Sequence, residues 1–399
     1  MFKFNVESSV FEDAVRKIMI AIPASNKQGT GDCIQMTLYK NVGESGRSVG
    51  IFLAFNAKIE AISTMEIRDV ASEEKEMKVF VSGSKLAAAA SAFGALDTVL
   101  EITVNKEMSI SGAGSKVSLP LGEDIAKINP NEAMQITAEM ETEAFVKFIE
   151  FSSSCYQDTK GVHGMNCVGL RFDLQQNVLS AASSNGSRAV YAEIPDITIR
   201  RVEKKSDQAA PDESGVEDTK ITVTVEGSIL KSAVRNLGGK SKITISTDGK
   251  RLVLKKGAYV IIILTSEQAF PFDSVVQIMQ KNEDEGIWKA PIDKIMQALS
   301  IYEITMEKPW LEIKKNGESK MSFQGKDELT TASVICAQKG EIDRVVLDEK
   351  QFKEALSVFA SRYTRSTEIC IGVSDEKLPV SVKKNQEDAN CIIIMPIAS

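Results

Sequence analysis

Three strand-to-helix junctions of one design recur along the chain: VFVSGSKLAAAASAFGA from Val79, VTVEGSILKSAVRNLGG from Val223 and VVLDEKQFKEALSVFAS from Val345. In each, a short β-branched run leads to a residue of capping type, Ser82, Glu226 or Asp348, and then to apolar positions at helical spacing. In the second copy Ile229, Leu230, Ala233, Val234 and Leu237 share one helix face, while Lys231, Ser232, Arg235 and Asn236 take the other. A chain punctuated in this way folds as a series of like units.

The surrounding segments repeat as well. Helices are predicted over Ser9–Ile22, Thr142–Ser152 and Pro291–Tyr302, with Val10, Phe11, Ala14, Val15, Ile18 and Ile22 forming the apolar face of the first and Phe145, Phe148 and Ile149 that of the second. Strand pairs close each copy: LEITVNKEMSISGAGSKVSLPL, ITISTDGKRLVLKKGAYVIIIL and EICIGVSDEKLPVSVKKNQEDANCIIIMPI, with Asp-Gly and Asp-Glu pairs at turns. Each third therefore reads helix, strands, helix, strands. This is an α+β unit with two helices, six in all, and a sheet covering the helices on one side. Polar stretches at Gly122–Asn131 and Gln280–Gly286 delimit domains over residues 1–125, 131–279 and 286–399. Val202–Lys220, charged and poor in apolar residues, reads as a solvated, mobile loop within the second repeat.

Composition narrows the functions. The 399 residues are 43% hydrophobic, enough for packed cores, and carry a formal net charge of −7. That charge divides as −2 over residues 1–130, −2 over 131–280 and −3 over 281–399. No third is basic, so no tail or domain is built to clamp phosphates, and any positive surface is segregated by face. The one histidine, His163, lies in a loop-like GVHGMN and argues against a His-based triad or a multi-His metal site. Six cysteines without a CxxC pair read as buried, reduced thiols of a cytoplasmic protein, and Trp288 and Trp310 read as core residues. No apolar run reaches the ~18 residues of a membrane helix, and MFKFNVESSV has no hydrophobic signal region. Gly238–Lys242 (GGKSK) resembles a P-loop, but Val234 stands where the first glycine belongs and a helix precedes it, so it reads as a helix C-cap. Asn185-Gly186-Ser187, formally a glycosylation sequon, reads as a turn. Neither a cofactor nor a metal is expected, nor an enzymatic activity.

Together with the triplication, the strings KFNVE at Lys3–Glu7, SAASSNGSRAVYAEIP at Ser180–Pro195, FPF at Phe270–Phe272 and IIMPIAS at Ile393–Ser399 resemble the bacterial beta sliding clamp, the beta subunit of the replicative DNA polymerase III holoenzyme. The resemblance implies three two-helix, two-sheet clamp domains per chain and a head-to-tail homodimeric ring. Packing arithmetic agrees: with helices ~9 Å apart, a ring of six leaves a hole of ~7 Å and a ring of twelve one of ~24 Å, which admits duplex DNA. The implied function is a DNA sliding clamp, a processivity factor that encircles double-stranded DNA without regard to sequence and tethers the replicative polymerase. An ATP-dependent clamp loader would open the ring. The alternative is a clamp-fold adaptor that binds peptides without encircling DNA.

The resemblance also implies sites. A groove for the clamp-motif peptides of partner proteins would use Cys167, Ser184, Gly186, Ser187, Arg188 and Ala189, with Pro271, Val275 and Val276 and the C-terminal Ile393, Ile394, Met395, Pro396 and Ile397. Ser187 stands where the family often has His and Cys167 where Leu is frequent, so a different peptide preference is expected. DNA-lining candidates are Lys27, Gln157, Arg16, Lys17, Lys231 and Arg235, alongside Lys85, Lys147, Lys294, Lys353 and Asp158 on or near polar helix faces. For the dimer interface, an edge strand with Val117 and Leu119 would meet the partner's third domain near Ile304.

Overall fold

The computed structural model describes residues 1–22, 32–43, 46–122, 134–156, 164–202, 219–281, 285–304, 310–315, 320–324, 331–374 and 378–397. The predicted loop around residues 203–218, residues 123–131 and 282–284 of the interdomain stretches, and Lys27, Gln157, Asp158 and His163 lie outside the described residues. Two compact units form. One comprises Met1–Glu143, Arg200–Ala210 and Ser232–Thr265, the other Ala144–Ile199, Pro211–Lys231 and Ser266–Ser399.

The first unit is built on a 13-stranded sheet. Glu76–Ser82, Cys33–Val42, Arg47–Phe55 and Ile59–Ser72 are neighbours in that order, all antiparallel. A second run orders Phe2–Glu7, Val99–Val104, Glu107–Gly112 and Ser115–Pro120, and a third orders Ile136–Glu141, Lys242–Thr247, Arg251–Lys256 and Tyr259–Leu264. Ile59–Ser72 joins the runs because it is 14 residues long. Its far end pairs with Phe2–Glu7 (Phe2 opposite Ser72), while its near end pairs with Tyr259–Leu264 (Ile263 opposite Ile59).

The second unit repeats both runs. Lys220–Glu226, Cys167–Asp173, Val178–Ser184 and Arg188–Ile194 continue through Cys391–Ile394, Val380–Lys383, Glu368–Val373 and Gly286–Pro291 to Ala337–Lys339, nine strands in all. A separate four-stranded sheet orders Arg344–Asp348, Trp310–Lys315, Lys320–Gln324 and Thr331–Ile335. Three times, therefore, the junction strand edges a four-stranded meander. Three times, too, a strand ahead of a helix begins a second four-strand run. Tight turns fit their sequences: Asp248 accepts hydrogen bonds from the amides of Lys250 and Arg251 while Gly249 takes a positive φ of 85°, which glycine adopts without strain.

Seven α-helices occur among the described residues, one more than the six expected: α1 (Ser8–Ile18), α2 (Gly83–Gly94), α3 (Thr142–Ser152), α4 (Gly227–Arg235), α5 (Phe272–Lys281), α6 (Ile292–Tyr302) and α7 (Glu349–Arg362). The six expected helices bury one spacing, i, i+3, i+4, i+7. It is Phe11, Ala14, Val15 and Ile18 in α1, Leu86, Ala89, Ala90 and Phe93 in α2, and Phe145, Phe148, Ile149 and Ser152 in α3. Leu230, Ala233, Val234 and Leu237 do the same along and just past α4, Ile295, Ala298, Leu299 and Tyr302 in α6, and Phe352, Ala355, Leu356 and Phe359 in α7. Val10, expected on the α1 face, is 39% exposed, and Ile22 and Ile229 are half-buried, because each sits at or beyond the margin of that stripe. Ser82 and Asp348 cap as predicted: their side chains accept from the amides of Lys85 and Gln351. The GGKSK segment follows α4 with Gly239 at φ 97°, and the Lys256 ammonium, from a later strand, donates to the carbonyls of Leu237 and Gly238. Trp288 is buried, and all six cysteines are free thiols, five of them buried. Among the described residues no helix is long and apolar enough to cross a membrane.

The meeting of α6 and α7 carries an acid pair. Glu349, buried in the first turn of α7, faces Glu303 just past α6, and Lys353 pairs with Glu303. Burial, then the hydrogen bond and charge of Glu303, push the Glu349 carboxyl up to about 7. A folded-state value above the ordinary one means stability that is complete below the unfolded value and lost as pH rises toward 7. Glu303 is held low, chiefly by Lys353, and so acts only below the ordinary carboxylate range. Glu349→Gln is therefore expected to flatten the decline in urea stability between about pH 5 and pH 8 and to raise stability at the upper end. An unchanged slope in paired urea titrations would refute the assignment.

Candidate peptide-binding site

Strand Arg188–Ile194 is where the site begins. It pairs antiparallel with Cys391–Ile394, setting Arg188 opposite Ile394, Ala189 opposite Ile393 and Tyr191 opposite Cys391. The turn before it is an Asx turn: Asn185 Oδ1 accepts from the amides of Ser187 (3.1 Å) and Arg188 (2.7 Å), and Gly186 takes φ 87°. Beyond the ladder, Met395 donates its amide to the Ser187 carbonyl (2.9 Å) and Ile397 donates to Val346 (3.0 Å).

An apolar floor lies on this sheet. Ala182, Phe270, Phe272 and Val275 are buried together, and Ala189, Tyr191, Val276 and Met279 pack against them, partly exposed. Phe272, Val275, Val276 and Met279 follow the i, i+3, i+4, i+7 spacing of α5, which explains why the unpredicted helix forms and which face it lays down. The Arg171 guanidinium stacks 4.1 Å from the Phe272 ring centre and pairs with Asp273 at 2.8 Å, fixing the start of α5. Tyr191 meets the same ring edge-on at 6.1 Å and hydrogen-bonds Glu193 and Ser180. Burial, then the Glu193 carboxylate, raise the Tyr191 phenol above its ordinary range, so it stays a neutral donor.

The groove residues expected from sequence divide in two. Pro271, Gly186, Ser187 and Met395 are exposed, and Ser184, Ala189, Val276, Pro396 and Ile397 are half-buried. Cys167, Arg188, Val275, Ile393 and Ile394 are buried. Of the buried set Val275 lies in the floor, and of the outward set Ala189 and Val276 pack against it; this outward surface, with the 43% exposed Met395 that follows the neighbouring strand, is termed the shelf. Tyr191, Met279 and Phe272 belong to the floor and were not singled out as groove residues, although the spacing after FPF carried the signal for two of them.

The remaining candidates lie elsewhere in the chain. Arg16 and Lys17 share Asp13, Lys353 is taken by Glu303, and the Lys231 ammonium sits 5.8 Å from the Tyr156 ring centre. Lys85, Lys147, Arg235 and Lys294 are exposed. Of the interface candidates, Leu119 is buried, Val117 half-buried, and Ile304 80% exposed.

With this geometry in view, the architecture is that of the bacterial beta clamps. The chain superposes along its whole length on the DNA polymerase III subunit beta of Pseudomonas aeruginosa, with a TM-score of 0.78 at 12% identity, covering 99% of this chain and 100% of that one. It does so equally on the DNA polymerase III beta subunit of Thermotoga maritima, with a TM-score of 0.76 at 15% identity and 100% of each chain covered. A Helicobacter pylori beta clamp bound to a DNA ligase peptide gives a TM-score of 0.75 at 16% identity, over 99% of this chain and 100% of that one. No family profile and no curated protein matches the sequence. The chain thus has the β-clamp fold, α+β with several antiparallel sheets, as the sequence resemblance implied.

One glycine tests the floor. A Cβ on Gly169 would stand 2.8 Å from Phe270 Cδ1 and 2.9 Å from Phe272 Cδ2, closer than carbon atoms pack. Gly169→Ala is expected to displace both rings and cost about 1–3 kcal/mol, read by chemical denaturation and by loss of near-ultraviolet circular dichroism. A neutral substitution would mean that the rings have room to move.

Proposed function

We propose that the chain is a non-enzymatic DNA sliding clamp whose two copies close head to tail around duplex DNA and tether a replicative polymerase and other partners through the shelf beside Met395. The observation that carries the ring is a pairing rule. The last strand of the second repeat, Tyr259–Leu264, pairs with the third meander strand of the first, Ile59–Ser72. The last strand of the third, Cys391–Ile394, pairs with the third meander strand of the second, Arg188–Ile194. Two strands are left over. The last strand of the first repeat, Ser115–Pro120, and the third meander strand of the third, Thr331–Ile335, each end their sheet order. Ile335 on the latter is 76% exposed, an edge that solvent alone does not favour. Applying the rule once more pairs these strands between two copies, and doing so twice closes a ring with the symmetry of a dimer. Ser115–Pro120 carries Val117 and Leu119, and Ile304 lies in the repeat that supplies Thr331–Ile335.

On this reading the domains follow the repeats, near residues 1–125, 131–279 and 286–399. Exposed Arg235, Lys85, Lys147 and Lys294, with Arg16, Lys17 and Lys231, face the DNA. An ATP-dependent loader opens the ring. The shelf takes partner peptides, as the Helicobacter pylori clamp takes a DNA ligase peptide, with the adaptable Met395 at the rim. The evenly acidic chain suits retention by topology, since a strongly basic lumen would brake sliding.

Retention on circular against linear DNA tests the reading. Loaded on nicked circular DNA, the protein is expected to stay bound and to be released when the circle is cut, with a solution mass about twice 43.5 kDa. Ile335→Asp is expected to shift that mass toward one chain. Equal retention on both forms sinks the topological reading, and a monomer that still binds peptide points to the adaptor.

A further inference from the structure

The resemblance puts Arg188 among the residues that touch a bound peptide, but its side chain is turned inward and only 5% exposed. Its guanidinium donates to Glu354 Oε2 at 2.8 Å and to the Gln351 carbonyl at 3.1 Å, both on α7. Asn185 Nδ2 reaches the Gln351 side chain from the same turn at 3.3 Å. The fully buried Cys155 thiol lies beside Arg188, which closes that side to solvent. On the far side of the turn, Ser187 holds the Met395 amide, and Ile397 is held by Val346 on the strand that leads into α7 through its cap, Asp348. The turn over 184–188, the start of α7 and the segment over 395–397 are thus one hydrogen-bonded assembly. Arg188 and Glu354 are its charged link.

We infer that Arg188 and Glu354 are positioning residues for the peptide shelf: the pair bolts the lip turn and the Met395 rim to α7 and itself makes no contact with the peptide. This rests on the shelf reading above. The pair sets the height of the lip through Ser187 and, through the Ser187 carbonyl, the place of Met395. Arg188 is enclosed and holds two acceptors on α7 at once, the Gln351 carbonyl and the 43% exposed Glu354 carboxylate, so the lip is tied to α7 before any peptide arrives. Glu354 does the same work although the resemblance assigns it no part in the groove.

Two measurements on the full-length protein separate the possibilities. In ligand-free protein, Glu354→Gln is expected to speed amide hydrogen exchange at Met395 by about tenfold. Exchange at Val190 and Ala192, within the strand that continues from the lip, should be unchanged, as should the urea midpoint to within a few tenths of a molar. Titrated with the DNA ligase peptide bound by the Helicobacter pylori clamp, Glu354→Gln and Arg188→Met are expected to lose affinity alike, about tenfold, and the double variant no more than either. Arg188→Lys, which keeps a cation for Glu354, should recover part of the loss. Unchanged exchange at Met395 overturns the proposal, as does an Arg188→Met loss that Glu354→Gln does not share, which would place Arg188 against the peptide. If the parent protein binds no peptide, the shelf reading fails, and the exchange measurement alone judges whether the pair sets the lip.

Discussion

Backbone pairing between the last strand of one repeat and the third meander strand of the repeat before it is the constraint on which the rest depends. A four-stranded antiparallel meander has two edges, each presenting unsatisfied amides and carbonyls, and a chain of three such meanders has six edges to manage. The junction strand takes one edge each time, with its helix following at once. In the first two meanders the other edge is met by a strand from the next repeat, and Ile59–Ser72 is long enough to accept both Phe2–Glu7 and Tyr259–Leu264 along one side. Joining strands in this way shares the sheets between repeats. That is why compact units cut through the second repeat, whose two sheets fall in different units.

The same pairing builds the apolar surface proposed above as a peptide shelf. Nothing in residues 184–194 or 391–397 alone makes a binding surface: the first is a hairpin turn and strand, the second a short aliphatic strand. Once Ala189 lies opposite Ile393, the sheet is continuous, its far-side residues become floor, and the chain leaving it at Met395 must run beside the Asx turn. Helix α5 then lays Phe272, Val275, Val276 and Met279 onto this sheet, with Gly169 making room for two aromatic rings. The shelf follows from how an edge strand is satisfied, and its chemistry from what α5 happens to present.

How much of this was legible in the sequence depends on which physical signal carried it. Six helices were legible because each buries the same quartet of positions, and their caps because Ser82 and Asp348 are short acceptors placed just ahead of it. Helix α5 was hidden, since its apolar quartet begins inside FPF and follows a strand and loop with no repeat counterpart to announce it. The buried or outward sense of the groove residues was hidden for another reason. Cys167–Asp173 and Cys391–Ile394 lie inside a sheet covered on both faces, so their runs show no alternation to tell one face from the other. Arg188 is the extreme case. A lone arginine beside a Gly-Ser turn reads as exposed, and only the placement of Glu354, 166 residues on, turns it inward.

Charge follows the same lesson at closer range. On the first repeat's helix, two basic residues converge on one Asp13, and on the third repeat's, Lys353 is spent on Glu303, so the helix faces expose fewer free cations than their sequences count. Exposed pairs of this kind contribute little stability, but they do lower the local positive field that a passing phosphate would feel. A chain whose every third is acidic and whose helix cations are partly paired at home is ill-suited to gripping DNA by attraction. On the proposed reading, holding DNA by enclosure suits it better, since affinity for phosphate would then be a hindrance and the strength that matters would be that of the two strand edges proposed to pair between copies.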